Sequence, residues 1–201
     1  MGETIVLSTI SKTRNGERKV FYYEDNIEKP ILAAGILLFK EDTKEVLVQK
    51  LPKDDTYQFS DFGGKIDMED KNVIESIARE LWEEINGGIC RKKNGKMCDL
   101  NGLKKLIHGG IKKKLYFPNA KYFLIFVSFN ENKYELNMDK IGEKEETDQI
   151  TRNVVWISYQ EFIDSHFSHN LHPRLWGKSV LEFFGYEGEI IPQQIKKFAF
   201  V

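Results

Sequence analysis

The strongest constraint on the fold is a pair of unbroken apolar runs, PILAAGILLFK (30–40) and KYFLIFVSF (121–129). Each has strand length, and neither approaches the roughly 18–20 apolar residues that a membrane span needs. A strand with one wet face alternates apolar and polar residues. An unbroken run such as 30–40 predicts a strand buried on both faces, and 121–129 reads as another central strand. Such strands need covering layers on both sides of the sheet.

The segments around these runs supply candidates for those layers. KEVLVQK (44–50) follows a polar turn and reads as a hairpin partner for the first run. RNVVWIS (152–158) reads as a further strand. ETIVLSTISKTR and RKVFYYED flank Asn15-Gly16, a strong hairpin signal. LPKDDTYQFSDFGG reads as a loop. From Lys71 to Ile85 the period changes: Val73, Ile74, Ile77, Ala78, Leu81, Trp82 and Ile85 recur at three- and four-residue steps, one apolar helix face. Asn86 and Gly87 both tolerate left-handed backbone angles and stop that helix. YQEFIDSHF and RLWGKSVLEFFGY read as short helices. Strands, a helix, more strands and terminal helices predict an α/β fold with a central mixed β-sheet. The 201 residues suit a single domain with an N-terminal hairpin (1–29), a basic insertion (90–120) and a C-terminal helical segment (158–201).

The helix over 71–85 also carries the densest charge. Glu80, Glu83 and Glu84 stand at i, i+3 and i+4, so their side chains converge on one stripe. Arg79 is one turn from both Glu75 and Glu83 and could pair with either. A solvated helix face would account for this spacing alone. The preceding Gly63-Gly64-Lys65 shifts the reading, because glycine lets a backbone approach a ligand closely. Hard oxygen ligands clustered this way suit Mg²⁺ or Mn²⁺, which bind a few carboxylates and otherwise keep water or phosphate oxygens. Lys65 and Arg79 would answer the remaining substrate phosphate charge.

These residues resemble the Nudix box, G-x5-E-x7-R-E-U-x-E-E-x-G-U, where U is aliphatic. Gly64 stands at the leading glycine, and ARELWEEIN places Arg79, Glu80, Leu81, Glu83 and Glu84 in the family's spacing. AAGILLF, EVLVQK and FGGK are similar to the strands that lead into the box. The first half is one residue longer than the pattern. The box glutamate position falls on Asp70 counting forward and on Lys71 counting back, and the terminal glycine and aliphatic residue are Asn86 and Gly87. The resemblance implies a Nudix-like α/β/α sandwich and Mg²⁺- or Mn²⁺-dependent hydrolysis of a diphosphate linkage, typically in a nucleoside diphosphate derivative. It implies that Glu80, Glu83 and Glu84 hold the metal, with the Gly64 carbonyl as a further ligand and Glu83 as base. Some members take the base from a later loop, where this chain offers Glu143, Glu145, Glu146 and Asp148. Asp70, Glu145 and Glu146 are therefore alternative bases or ligands.

Substrate class is read from the basic stretch between Arg91 and Lys121. Its lysines, with Lys112, Lys113 and Lys114 in a row, form either a solvated surface or a polyanion patch, with Tyr116 and Phe117 as base-stacking rings or as core. The net charge of −1 makes the whole molecule no polyanion binder, so any such footprint is local. A phosphorylated small molecule such as a diphosphoinositol polyphosphate, or the 5′ end of a capped RNA (decapping), fits the family. A catalytically silent module that binds RNA or a phosphorylated ligand is the competing reading. His166, His169 and His172 lack further ligands and read as helix-end or surface histidines rather than a zinc site. Two cysteines and no apolar span predict a reduced, cytoplasmic (intracellular) protein with no membrane partner.

Overall fold

A computed structural model describes residues 20–24, 27–52, 58–67, 69–146 and 151–189. The proposed Asn15-Gly16 turn lies outside them. The central sheet is mixed, as expected. Its order is β12 (Asn153–Ser158), β4 (Glu45–Lys50), β3 (Ala33–Lys40), β10 (Tyr122–Ser128) and β9 (Ile111–Phe117). β3 and β10 run parallel, and the other pairs are antiparallel. Both unbroken runs are central strands buried on both faces. Ile36, Leu38, Phe123 and Ile125 join one core with Ile74, Ile77 and Leu81 of α1 (Val73–Glu84) and Leu103 and Ile107 of α2 (Leu100–Gly110). Leu37, Phe39, Leu124 and Phe126 join the other with Phe162 of α4 (Tyr159–Phe167) and Val180 and Leu181 of α5 (Lys178–Phe183). The two-residue period of a strand sorts neighbours to opposite faces. The result is an α/β/α sandwich.

Five details depart from the sequence reading. The first run breaks at Leu32: Ile31 ends β2 (Ile27–Ile31), which pairs with β1 (Val20–Glu24) rather than continuing into β3. The presumed loop before α1 contains β5 (Phe59–Ser60) and β6 (Phe62–Lys65), so Gly63 and Gly64 are strand residues paired to Gly35 and Ala34. Residues 90–120, read as a basic insertion, carry regular elements that pack into the fold. After β7 (Ile89–Arg91) and β8 (Lys96–Met97), α2 packs into the α1 core and β9 forms an edge of the main sheet. β7 also pairs with β11 (Tyr134–Leu136), just before the short helix α3 (Met138–Ile141). RLWGKSVLEFFGY splits into a 3-10 turn (Pro173–Leu175) and α5. Trp82, assigned to the apolar face, is 40% exposed, at the edge of the buried stripe with its ring against Gly87.

The ends of α1 follow their residues. Asn72 caps the start, its side chain accepting from the Glu75 amide at 2.9 Å. Asn86 (φ 51°) and Gly87 (φ 65°) reverse the chain at the other end. Among the described residues no helix is long and apolar enough to cross a membrane. Cys90 and Cys98 are buried free thiols.

Candidate active site

Strand β6 and helix α1 form the site. Gly64 lies directly against the Glu80 carboxylate, and any side chain there would occupy the carboxylate's place. Gly35 and Gly63 face each other across β3 and β6, and side chains there would collide with the Tyr122 hydroxyl. Neither β6 glycine is needed for a left-handed backbone. Both are needed for close approach.

Arg79 organises the acidic stripe. Its Nη1 lies 2.9 Å from Glu80 Oε1 and 3.0 Å from Glu83 Oε2. Its Nε and Nη2 donate to the two oxygens of Asp70 at 3.2 and 3.0 Å, and Nη2 also reaches the Lys65 carbonyl at 3.1 Å. Of the two partners open to it by spacing, Arg79 takes Glu83, while Glu75 pairs with Lys104 at 3.0 Å. Burial works against the guanidinium charge, but the hydrogen bond to Asp70 and the charges of Glu80 and Asp70 prevail and raise its pKa. With its donors so committed, Arg79 has a positioning geometry rather than that of a free phosphate clamp. The one-residue ambiguity also resolves. Asp70 is buried and faces Arg79, while exposed Lys71 only donates its amide to Glu75.

The carboxylates fit a divalent cation in chemistry and in orphaned valence. Glu84 Oε1 accepts from Gln49 Nε2 at 2.7 Å, but Oε2 is shut from solvent without a hydrogen-bond partner. Burial holds the Glu84 carboxyl well above the usual carboxylate range, and burial also raises Glu80. A cation is what such anions need. Among the described residues no ready-made group of three His, Cys, Asp or Glu side chains closes on one ion. Glu80 and Glu83 instead share the positive charge of Arg79.

Behind the stripe lies a buried network that the sequence reading missed. Asp61, 0% exposed, accepts from Arg174 Nε and from the Tyr122 hydroxyl. Arg174 Nη2 also reaches Ser60 Oγ at 3.1 Å and the carbonyls of Asp61 and Gly63 at 3.3 Å. Gln49 Nε2 joins this network to Glu84 through the Asp61 carbonyl at 3.1 Å. A lone aspartate between Phe59 and Phe62 was the available signal. Arg174 thus serves the back of the site.

The acidic loop meets the far end of α1. Glu145 is buried and Glu146 is exposed, with Glu146 Oε1 2.8 Å from Lys140 Nζ. Asp148 lies outside the described residues. The basic row does not form one patch. Lys112 pairs with Glu41 at 3.0 Å, and Lys113 donates to the Ser179 carbonyl at 3.1 Å beside Phe183. Lys114, opposite Ile125, sits on the other face of the sheet from Lys113. Tyr116 bonds the Pro30 carbonyl at 2.7 Å and Phe117 packs on Gly177, so neither ring is a free stacking platform.

The histidines are not surface residues throughout. His166 is buried beside Trp176, and the His172 ring accepts from the Arg174 amide at 3.2 Å, capping the 3-10 turn. Burial and the neighbouring Arg174 charge lower His172 to about 4. Below pH 6.5 the unfolded chain takes up a proton that the folded chain refuses until about pH 4. Stability therefore falls across that window by up to about 3 kcal/mol. His172→Asn keeps a capping acceptor without the titration. Urea midpoints at pH 7 and 4.5 should differ by less in this variant than in wild type, and equal differences would refute the assignment.

Residues 29–176 match the family described as NUDIX domain, which is most of the chain. The chain belongs to the Nudix family. No curated protein matches it. Solved structures similar to it include a bifunctional NMN adenylyltransferase/ADP ribose pyrophosphatase from Francisella tularensis, complexed with AMP and a Mn ion, at 18% identity and TM-score 0.40. That match covers 65% of this chain but 34% of the other, so this chain spans about a third of that protein's length. A MutT from work on Aliivibrio salmonicida and Vibrio cholerae is similar at 14% identity and TM-score 0.43, covering 84% of this chain and 98% of that one. With TM-scores below 0.5, the assignment rests on the domain match.

Proposed function

We propose that this Nudix pyrophosphohydrolase cleaves the diphosphate linkage of a small nucleoside-diphosphate-type substrate in the cytoplasm, with Mg²⁺ or Mn²⁺ held by Glu80, Glu83, Glu84 and the Gly64 carbonyl. The observation that carries this reading is the partnerless, buried oxygen of Glu84 on the same helical stripe as Glu80 and Glu83. When bound, the cation would neutralise the diphosphate and acidify a water molecule. Glu83 is more exposed than Glu80 and pairs with the anchored Arg79 at its outer edge, so it is the carboxylate we assign as general base. Asp70 anchors Arg79, and Arg79 holds Glu80 and Glu83 on one side of the helix. Exposed Lys65, at the end of β6, is the side chain available to a substrate phosphate.

The test is chromatographic detection of the two phosphorylated products of diphosphate cleavage, with Mg²⁺ or Mn²⁺, from nucleotide sugars, dinucleoside polyphosphates, diphosphoinositol polyphosphate and capped RNA. Glu83→Gln is assayed beside wild type. Turnover of a small diphosphate is expected, with Glu83→Gln lower by about 10²–10⁴-fold, the usual worth of a general base. The division of the lysines between two sheet faces favours the small substrates over RNA. Efficient decapping with a steep salt dependence would reverse that preference. Binding without turnover on every compound would replace the enzyme with the silent module.

A further inference from the structure

The family's pattern ends the box helix with glycine, where this chain has Asn86. The left-handed backbone at Asn86 asks for no more than glycine. Its side chain does something glycine cannot. Asn86 is 5% exposed, and its Nδ2 donates to the carbonyls of Ile141 and Lys144, both at 2.7 Å. Its Oδ1 accepts from the Glu146 amide at 2.8 Å. One amide thus grips the backbone on each side of Glu145, from the residue just past the acidic stripe. Arg152, 1% exposed, holds the start of the same loop, with Nη1 at 3.2 Å from the Gly142 carbonyl and its backbone amide at 2.9 Å from the Glu143 carbonyl. The clamp itself sits two residues past Glu84, so the backbone on both sides of Glu145 is tied to the end of the helix that carries the acidic stripe.

We propose that Asn86 is a positioning residue that locks the acidic loop to the end of the metal-binding helix and so holds Glu145 beside the reacting diphosphate. The inference rests on the hydrolase reading above. Three peptide groups converge on one buried side chain, which is more than a helix stop requires. They fix the backbone immediately before and after a buried acid. Glu145 works through this placement: it can hold charge or orient water next to Glu84 only while the loop stays docked.

The experiment compares Asn86→Gly, Asn86→Asp, Glu145→Gln and the Asn86→Gly/Glu145→Gln pair with wild type. It reads kcat and KM with Mg²⁺ and, without metal, hydrogen exchange at the Glu146 amide. Asn86→Gly keeps the left-handed turn and removes the clamp. Asn86→Asp keeps the acceptor for Glu146 and removes both donors. Exchange at Glu146 should accelerate in Asn86→Gly. kcat should fall up to ~100-fold in both Asn86 variants while KM stays nearly constant, since sub-ångström to ångström misplacement has that effect. The paired variant should be no worse than Glu145→Gln alone. A freed Glu146 amide with unchanged kcat overturns the proposal, as do losses that multiply in the pair. If Asn86→Gly fails to fold, unchanged kcat in Asn86→Asp overturns it equally. A wild type that hydrolyses nothing defeats the hydrolase reading and this role with it, whereas an active wild type with active Asn86 variants defeats this inference alone.

Discussion

Glu84→Gln should yield a protein that resists heat better than wild type when metal is absent, yet has lost about 10³-fold in hydrolysis. Both effects come from one oxygen. Glu84 Oε2 is shut from water and accepts no hydrogen bond, so the folded chain without metal carries the cost of a buried, half-satisfied carboxylate. Glutamine removes that charge and can keep the Gln49 contact through its own carbonyl oxygen. A gain of about 1–2 kcal/mol is the expected scale. The same change removes the anionic ligand proposed for the cation, whose electrostatic contribution of several kcal/mol corresponds to the rate loss. Melting curves with and without Mg²⁺ check both halves. Wild type should gain Tm on adding Mg²⁺, and Glu84→Gln should gain little. A variant that melts lower than wild type without metal, or that binds Mg²⁺ as well, would show that Glu84 serves the fold instead.

The layers of the fold were legible because hydrophobic period is a local signal. The runs at 30–40 and 121–129 could be dry on both faces only in the middle of a sheet, and Val73 to Ile85 had a helical stripe. Glu80, Glu83 and Glu84 were legible for the same reason: their relation is set by helix geometry within one turn. What escaped notice depends on contacts far apart in sequence. Asp61 meets Arg174 across 113 residues, and neither neighbourhood announces the other. Lys112, Lys113 and Lys114 read as a patch because adjacency in sequence resembles adjacency in space, but Lys113 and Lys114 take opposite faces of the strand, and Lys112 and Lys113 are engaged by Glu41 and the Ser179 carbonyl. Asn86 looked like a tolerated substitute for glycine because its backbone role is local, while its side-chain role reaches residues 141–146. Gly63 was read as a device for reaching metal. Its nearest demand is room for Tyr122 and the β3 backbone.

Arg174→Met should be the most destabilising single change at the back of the site, costing about 3–5 kcal/mol. Asp61 is wholly buried, and its charge is answered chiefly by Arg174, with the Tyr122 hydroxyl as a neutral donor. Methionine fills similar length but leaves that carboxylate unpaired in the core. It also frees the carbonyls of Asp61 and Gly63 from their shared donor. The cost therefore belongs to the stranded charge more than to the lost bond. Asp61→Asn added to Arg174→Met removes the charge and should recover a large part of the loss, because an asparagine can still accept from Tyr122. Urea unfolding of both variants measures this directly. If the paired variant is as unstable as Arg174→Met, packing and not charge sets the cost. Gly63 precedes the glycine that lies against Glu80, so a slackened β6 should also raise the Mg²⁺ concentration needed for half-maximal activity. Restored stability in the paired variant without restored Mg²⁺ affinity would separate two duties of Arg174: neutralising Asp61, and holding the strand that carries the proposed cation site.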